Sequence, residues 1–548
     1  MANAQPFYHT YVENRFALEN SFGARLCQPW PWAYVNQKHP PGLLELPAGT
    51  RDQPWPDLET MRGRLPRPYW QGHDAVIACY DKVWEIAARN RRRATLDNRF
   101  CSDYCSTAFN GNTFMWDSAF IALFGRYGVR AWPFQGTCDN FYAKQHPDGF
   151  ICREVGETDG EDRFQRFDPS ATGPNALPWS EWEYWLFSGD RARLARVFPP
   201  LMAFTDWMRK NRTWPDGGYW ASGWASGMDN QPRFPGFYPD KGPHDPDGFH
   251  ETYEHAHATW LDTTLQAVFA NQLLLRMAAV LGRESEVGHC RAEIAHLSSL
   301  VNERMWDEGT GFYHDLDRHG KRSAMKGVGA YWALLADVVP PERLPRFLAH
   351  LDDPKAFKRP HRVPSISADS AGYEPGGGYW RGGVWAPTNY MVLRGLTQSG
   401  ADDLAADIGR NHLDAVVAGF VSTGTLWENY APESIGAQSD FHSTKDFVGW
   451  TGMVPTAVLF EYVFGLRPDV PAGRLVWDVR LTEAVGVERY PFGTRGTLSL
   501  TCAARASATD EPCVTIDGDV PVEVELRWAG GRRTLRCGSR PSTGTPDR

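Results

Sequence analysis

Two short stretches of this 548-residue chain each set a carboxylate among aromatic and backbone-bending residues. In WASGWASGMDNQPRF, residues 220–234, Asp229 is fenced by glycines, an amide, an arginine and two tryptophans. In TGTLWENYAPE, residues 423–433, Glu428 follows Trp427 and stands shortly before Pro432. An acid at a loop position has an ordinary use as a turn or capping residue. It also has a use in pairs. One carboxylic acid can protonate a leaving oxygen while a second carboxylate activates water on the opposite face of a sugar, the two standing roughly 6.5–9.5 Å apart. Such a pair must come from separate loops. The glycine-containing turns before Asp229 could hold its carboxyl partly desolvated and raise its pKa. Within the second stretch Glu433 competes with Glu428, but it lacks the adjacent Trp and Tyr that would wall off water.

Other residues could bind rather than react. In FMWDS, Trp116 can stack on a sugar face and Asp117 can accept hydrogen bonds from two hydroxyls, although a capping Asp at a helix start would look the same. YWRGGVW offers Tyr379, Trp380 and Trp385 on a glycine-flexed turn, with Arg381 as a donor. Aromatics make up 13% of the chain, with 23 Trp. Helix-face tryptophans belong to the core, whereas Trp beside Gly, Asp, Glu or Asn in loops suits carbohydrate stacking.

The elements that must position these loops are mainly helical. From about residue 72 to 466, segments such as HDAVIACYDKVWEIAARN, FMWDSAFIALFGRYG and TWLDTTLQAVFANQLLLRMAAVLG place apolar residues near a 3.6 period. About a dozen helices with intervening loops favour a closed ring of helical hairpins, in which inner helices are unusually apolar and the loops at one end build a cleft. After Arg467, runs such as RLVWDVRL, GTLSLTCAA, CVTIDG and VEVELRWAGGRRTLRC read as strands, with AGG as a hairpin turn. The expected organisation is a segment 1–70 packing on the core, a helical domain 71–466, and a small β-rich domain 467–548 ending in a disordered tail. The N-terminal segment offers TYVENRFALEN and GLLELP as strands.

A net charge of −9 and a pI near 6.0 exclude the electrostatic footprint of a nucleic-acid binder. The basic run Arg91–Arg93 reads as the end of a helix, complementing its dipole. No stretch reaches the ~20 consecutive apolar residues of a membrane helix, and the start lacks a secretory pattern, so the expected location is cytoplasmic. The ten cysteines show no zinc-ligand spacing and read as reduced thiols.

SGMDN, FMWDSAF, GGYWRGGVWAPTNY and WENYAPES followed by FVGWTG together resemble the α/α-toroid glycoside hydrolases of the family 63 type. Relatives of that type act on mannosylglycerate, glucosylglycerate and short α-glucosides. The resemblance implies an all-α (α/α)6 toroid and an inverting, exo-acting hydrolase of α-glycosidic bonds in small carbohydrates, with Asp229 as general acid and Glu428 as general base. By the same resemblance Trp116, Asp117, Tyr379, Trp380 and Trp385 wall the non-reducing sugar. Arg153 in DGFICRE, Asn230, Arg381 and Trp427 join them as binding candidates. The chain departs from the pattern at Gly173, Pro174 and Asn175, where Gln-Pro-Pro is common, and it lacks the trehalase signatures. No cofactor is called for. A metal site at His250, Glu251, Glu254, His255 and His257 is disfavoured because helical residues two apart point to different sides, and a structural cation on the acid-rich loop PDKGPHDPDGFHE is a further alternative. A sugar epimerase on the same architecture would leave the acid and base motifs without a role. A non-catalytic sugar-binding protein would not need Asp229 and Glu428 together.

Overall fold

The computed structural model describes residues 55–234 and 254–538. The N-terminal strand candidates, the whole acid-rich loop with His250 and Glu251, and the C-terminal tail lie outside these residues.

Helices alternate between two environments. The first, α1 (Asp74–Arg89), buries one face through Val76, Tyr80, Val83, Trp84 and Ala87, whereas α2 (Met115–Gly125) is buried at all eleven positions. The helices continue as α3 (Gly136–Ala143), α4 (Leu177–Ser188), α5 (Arg191–Asn211), α6 (Leu261–Leu281), α7 (Gly288–Leu300), α8 (Trp332–Leu335), α9 (Leu344–Asp352), α10 (Ala386–Gln398), α11 (Asp402–Thr423) and α12 (Val454–Val463, wound as a π-helix); α7, α9 and α11 again bury one side, whereas the short α3 is buried at seven of its eight positions. Even-numbered helices pack against one another in succession. The last, α12, returns to α1 and α2, so the ring closes. This position explains α6, which is long and apolar enough to cross a membrane by composition yet lies mostly buried within the ring. The run VGAYWALLADVV, whose apolar spacing also suits one helix, is instead a 3-10 turn, Val328–Tyr331, followed by the single turn α8.

Helix α1 stops at Arg89, capped by Asn90. Arg91 and Arg92 therefore do not extend the helix but enter a short strand with Tyr104 and Cys105. Arg91 still reaches back, its Nε donating to the Ala88 carbonyl at 2.9 Å, and Arg92 Nη1 donates to the Arg89 carbonyl at 3.4 Å.

The β content is larger than an all-α description allows. Strand β1 (Arg67–Trp70), from the N-terminal side, completes an antiparallel sheet whose other members all follow the helices. Two loop strands, β2 (Asn112–Phe114) and β3 (Glu154–Gly156), pair beside the helical ring. After α12 come β4 (Leu466–Asp469), β5 (Arg474–Asp478), β6 (Val485–Phe492), β7 (Gly496–Cys502), β8 (Val514–Gly518), β9 (Val522–Trp528) and β10 (Gly531–Cys537). They form two four-stranded sheets, ordered β1-β6-β7-β8 and β10-β9-β5-β4, with β9 parallel to β5. The AGG turn joins β9 to β10, pairing Trp528 with Gly531.

Candidate active site

Every inner helix bears its approach loop at its N-terminal end, and several of these loops converge. The loop before α6 begins with a single turn, Gly223–Ser226, capped by Ser222, whose hydroxyl accepts from the Ala225 N–H at 3.2 Å. Gly227 ends that turn in the left-handed region at φ 72°, and a Cβ there would come within 2.9 Å of Trp116 Nε1. Glycine is thus required on both counts. The residues after Asp229 are anchored elsewhere. Asn230 Nδ2 donates to the Gly378 carbonyl at 3.1 Å and Asn230 Oδ1 accepts from Trp380 N–H at 2.9 Å. Gln231 Nε2 donates to the Ser365 carbonyl at 2.8 Å. Arg233 is buried against Asp262 and Asp315 at 2.6 and 3.2 Å. The amide, the arginine and the glycines around Asp229 therefore fix a backbone that leaves one acid facing an opening.

Glu428 is held from two sides. Tyr379 Oη donates to its Oε1 at 3.1 Å, and the Thr444 N–H donates to its Oε2 at 3.0 Å. Its own backbone pairs with Thr444, and its carbonyl accepts from Trp450 Nε1 at 2.7 Å. Tyr379 reaches it from a left-handed backbone, φ 65°, between Gly378 and the similarly twisted Gly382. Gly383 cannot carry a side chain, because its Cβ would lie 2.2 Å from the Tyr379 carbonyl. Glu433 is engaged elsewhere, with Arg359 at 2.7 and 2.8 Å and Tyr373 at 2.5 Å.

Asp229 and Glu428 open onto one cleft of about 290 Å³, shared with Trp116, Asp117, Arg153, Tyr379 and Trp380. Its electrostatics are set first by burial, with the crowding of acids adding to it. Burial raises the Asp117 carboxyl well above the usual range, and the nearby Glu428 and Asp229 add to this. Burial likewise lifts Asp229 to about 7; Arg153 opposes that rise and Glu428 adds to it. Glu428 is also raised by burial, while the Thr444 and Tyr379 hydrogen bonds and His442 pull it back. The cleft thus offers a proton-carrying acid near neutral pH and a carboxylate supported in its charged form.

Four sequence candidates do not line the cleft. Asn230 braces the Tyr379 turn. Arg381 pairs with Glu374 at 2.9 Å. Trp385 lies behind Trp380, stacked at 3.8 Å with an interplanar angle of 1°, and Trp427 turns its indole N–H to Thr423 at 3.1 Å. Glu154, Trp224, Trp450, His442, Phe109 and Asn110 line it unanticipated. Glu154, Trp224 and Trp450 fall inside stretches already singled out, so adjacency was an available signal. His442 had none. His255 packs edge-on against Trp214 and Trp220, and among the described residues no group of His, Cys, Asp and Glu is arranged to hold a metal.

A closed helical ring with an acid-bearing, tryptophan-walled cleft at one end defines a ring-type glycoside hydrolase. The chain belongs to the mannosylglycerate hydrolase MGH1-like glycoside hydrolase family, whose model matches residues 94–448. Mannosylglycerate hydrolase of Thermus thermophilus is 27% identical over 358 residues, covering 53% of this chain and 83% of that protein. The crystal structure of the family 63 mannosylglycerate hydrolase from Thermus thermophilus superposes with a TM-score of 0.55 at 22% identity, over 69% of this chain and 99% of the other. A family 78 rhamnosidase of Bacillus sp. GL1 extends the likeness to 85% of this chain and 42% of its own, with a TM-score of 0.56 and 16% identity.

Proposed function

We propose that the protein is an inverting, exo-acting glycosidase that cleaves an α-glycosidic bond in a small carbohydrate, with Asp229 as general acid and Glu428 as general base. The helical body is then the (α/α)6 toroid of six inner and six outer helices. The observation that carries this reading is the pairing of environments in one cleft: burial lifts Asp229 to about 7, while Tyr379 and the Thr444 N–H both donate to the Glu428 carboxylate. Asp229 protonates the departing oxygen. Glu428 takes a proton from water, which attacks the anomeric carbon from the opposite face. Trp116 and Trp380 supply apolar faces for the sugar ring, and Asp117 accepts hydroxyl hydrogen bonds, which are costly to leave unmade in a buried site.

The experiment is a panel of α-linked nitrophenyl glycosides, glycosylglycerates and disaccharides, with the first-formed anomer followed by NMR. Release of the β-anomer is expected from an α-glycoside. Release of the α-anomer would replace the water-activating base with a covalent nucleophile, and internal cleavage of a polymer would remove exo action.

A further inference from the structure

The charge of the cleft wall bears on what leaves with the cleaved bond. Four carboxyl groups face the cleft, from Asp117, Glu154, Asp229 and Glu428, against Arg153 and His442 as groups able to carry positive charge. Arg153 is already committed. Its Nη2 donates to Glu154 Oε2 at 3.2 Å and its Nη1 to the Trp224 carbonyl at 3.2 Å. The guanidinium also lies over the rings of Trp224 and Phe164, at 4.7 and 5.0 Å. Glu154 is fixed in turn: Asn112 Nδ2 donates to its other oxygen at 2.6 Å, across the β2–β3 pair that sets Phe114 opposite Glu154. Neutralisation of Arg153 is therefore built into two adjacent strands. The pair is largely buried, at 14% and 11% side-chain exposure, so water screens it weakly.

We propose that the Arg153–Glu154 pair makes this cleft select a glycoside without a carboxylate, such as that of an alcohol, a polyol or a second neutral sugar, over one bearing a carboxylate, with Glu154 as the specificity-determining residue. The proposal rests on the glycosidase reading of the same cleft. An anionic aglycone would meet the ionised Glu428 base and a guanidinium already paired, and specificity of this kind comes from repulsion as much as from attraction. Removing the Glu154 charge would release Arg153 to pair with an incoming carboxylate, bidentate if geometry permits.

The test compares probes of equal shape that differ in charge: α-mannosylglycerate against α-mannosylglyceramide, and the corresponding α-glucosyl pair. The readout is kcat/KM where a pair is turned over and Kd from intrinsic tryptophan fluorescence where it is not. The wild-type protein should favour the amide by about tenfold or more. Glu154→Gln should narrow or reverse that ratio while its circular dichroism stays unchanged. Equal or better use of the acid by the wild type overturns the proposal without reference to any variant. An unchanged ratio in a folded Glu154→Gln overturns it as well, as does failure of both members of each pair to bind at millimolar concentration. If the amide binds preferentially but no α-glycoside in the panel is cleaved, aglycone selection stands and the hydrolytic reading falls.

Discussion

Helix α2 carries ionisable groups at both ends, and its two ends treat charge in opposite ways. In its first turn Asp117 shares the cleft with Asp229 and Glu428, and burial drives all three carboxyls upward in pKa. Just past its last turn, about 13 Å along the axis, Arg126 is equally buried but matched. It bonds to Glu183 at 3.1 Å, to Tyr390 at 2.8 Å and to Glu461, and Arg394 reaches Glu183 at 2.5 Å and Glu461 at 3.5 Å. Burial pushes Glu183 up, yet Arg394 and Arg126 outweigh it and leave that carboxyl below its usual range. Matched charges hold one end of the ring together, whereas at the other end burial raises acids that have no such partners, Asp229 to about 7.

The largest effects should follow from breaking the two ends separately. Asp229→Asn and Glu428→Gln are each expected to lower kcat by about 10²–10⁴, without loss of thermal stability, in assays on whichever glycoside the panel identifies. A variant retaining near wild-type kcat would remove that residue from the chemistry. At the matched end, Arg126→Met strands Glu183 and Glu461 beside Arg394 alone and should cost about 3–5 kcal/mol of stability, read by urea denaturation. If Arg126→Met melts like the wild type, the matched cluster is not what holds that end.

Much of this contrast was legible in the sequence, but only at one end. Asp229, Glu428, Trp116, Asp117, Tyr379 and Trp380 carry local marks: an aromatic neighbour, a flanking glycine, a place before an apolar helix. The structure sets all six on one cleft. Glu154 sits inside a marked stretch, but its place on the cleft wall, like that of His442, comes from pairing between separate segments, β2 with β3 and Asn429 with the His442 carbonyl at 3.1 Å, and no local pattern encodes such pairing. Trp385 was misplaced because the same aromatic-glycine signature serves both a surface that faces the cleft and the ring stacked behind it. The Arg126 cluster draws on four inner helices, and each residue alone reads as an ordinary helix charge. Strand β1 was invisible for a related reason: RPYW is short, contains proline, and is a strand because β6 lies beside it.

A smaller effect concerns pH. Asp229 titrates near 7 in the folded protein, so its proton is present below that pH and lost above it, and kcat/KM should fall as pH rises through about 7. The same shift has a stability consequence of definite sign. A carboxyl whose folded pKa exceeds its unfolded value favours the native state at low pH, and that contribution disappears as pH rises through the folded pKa. Asp229→Asn should therefore be more stable than the wild type at pH 8, by about 1–3 kcal/mol once partial solvation by the open cleft is allowed for, and the gain should vanish near pH 4. Equal melting temperatures at pH 8 would show that Asp229 carries no frustrated charge.

The smallest effect sharpens the comparison most, because it alters an unmatched acid without removing it. Tyr379→Phe deletes the hydroxyl that donates to Glu428 Oε1 and leaves the ring that packs edge-on against Trp385 at 4.8 Å. The Thr444 N–H remains on the other oxygen. A donor to the charged form lowers a carboxyl's pKa, so its loss must raise that of Glu428. Since the base acts ionised, the acidic limb of the kcat/KM profile should move to higher pH while the alkaline limb, set by Asp229, moves little. At the optimum the loss should be about three- to tenfold, as expected for one hydrogen bond. If Tyr379 instead only positions the sugar, the variant should raise KM at every pH and shift neither limb.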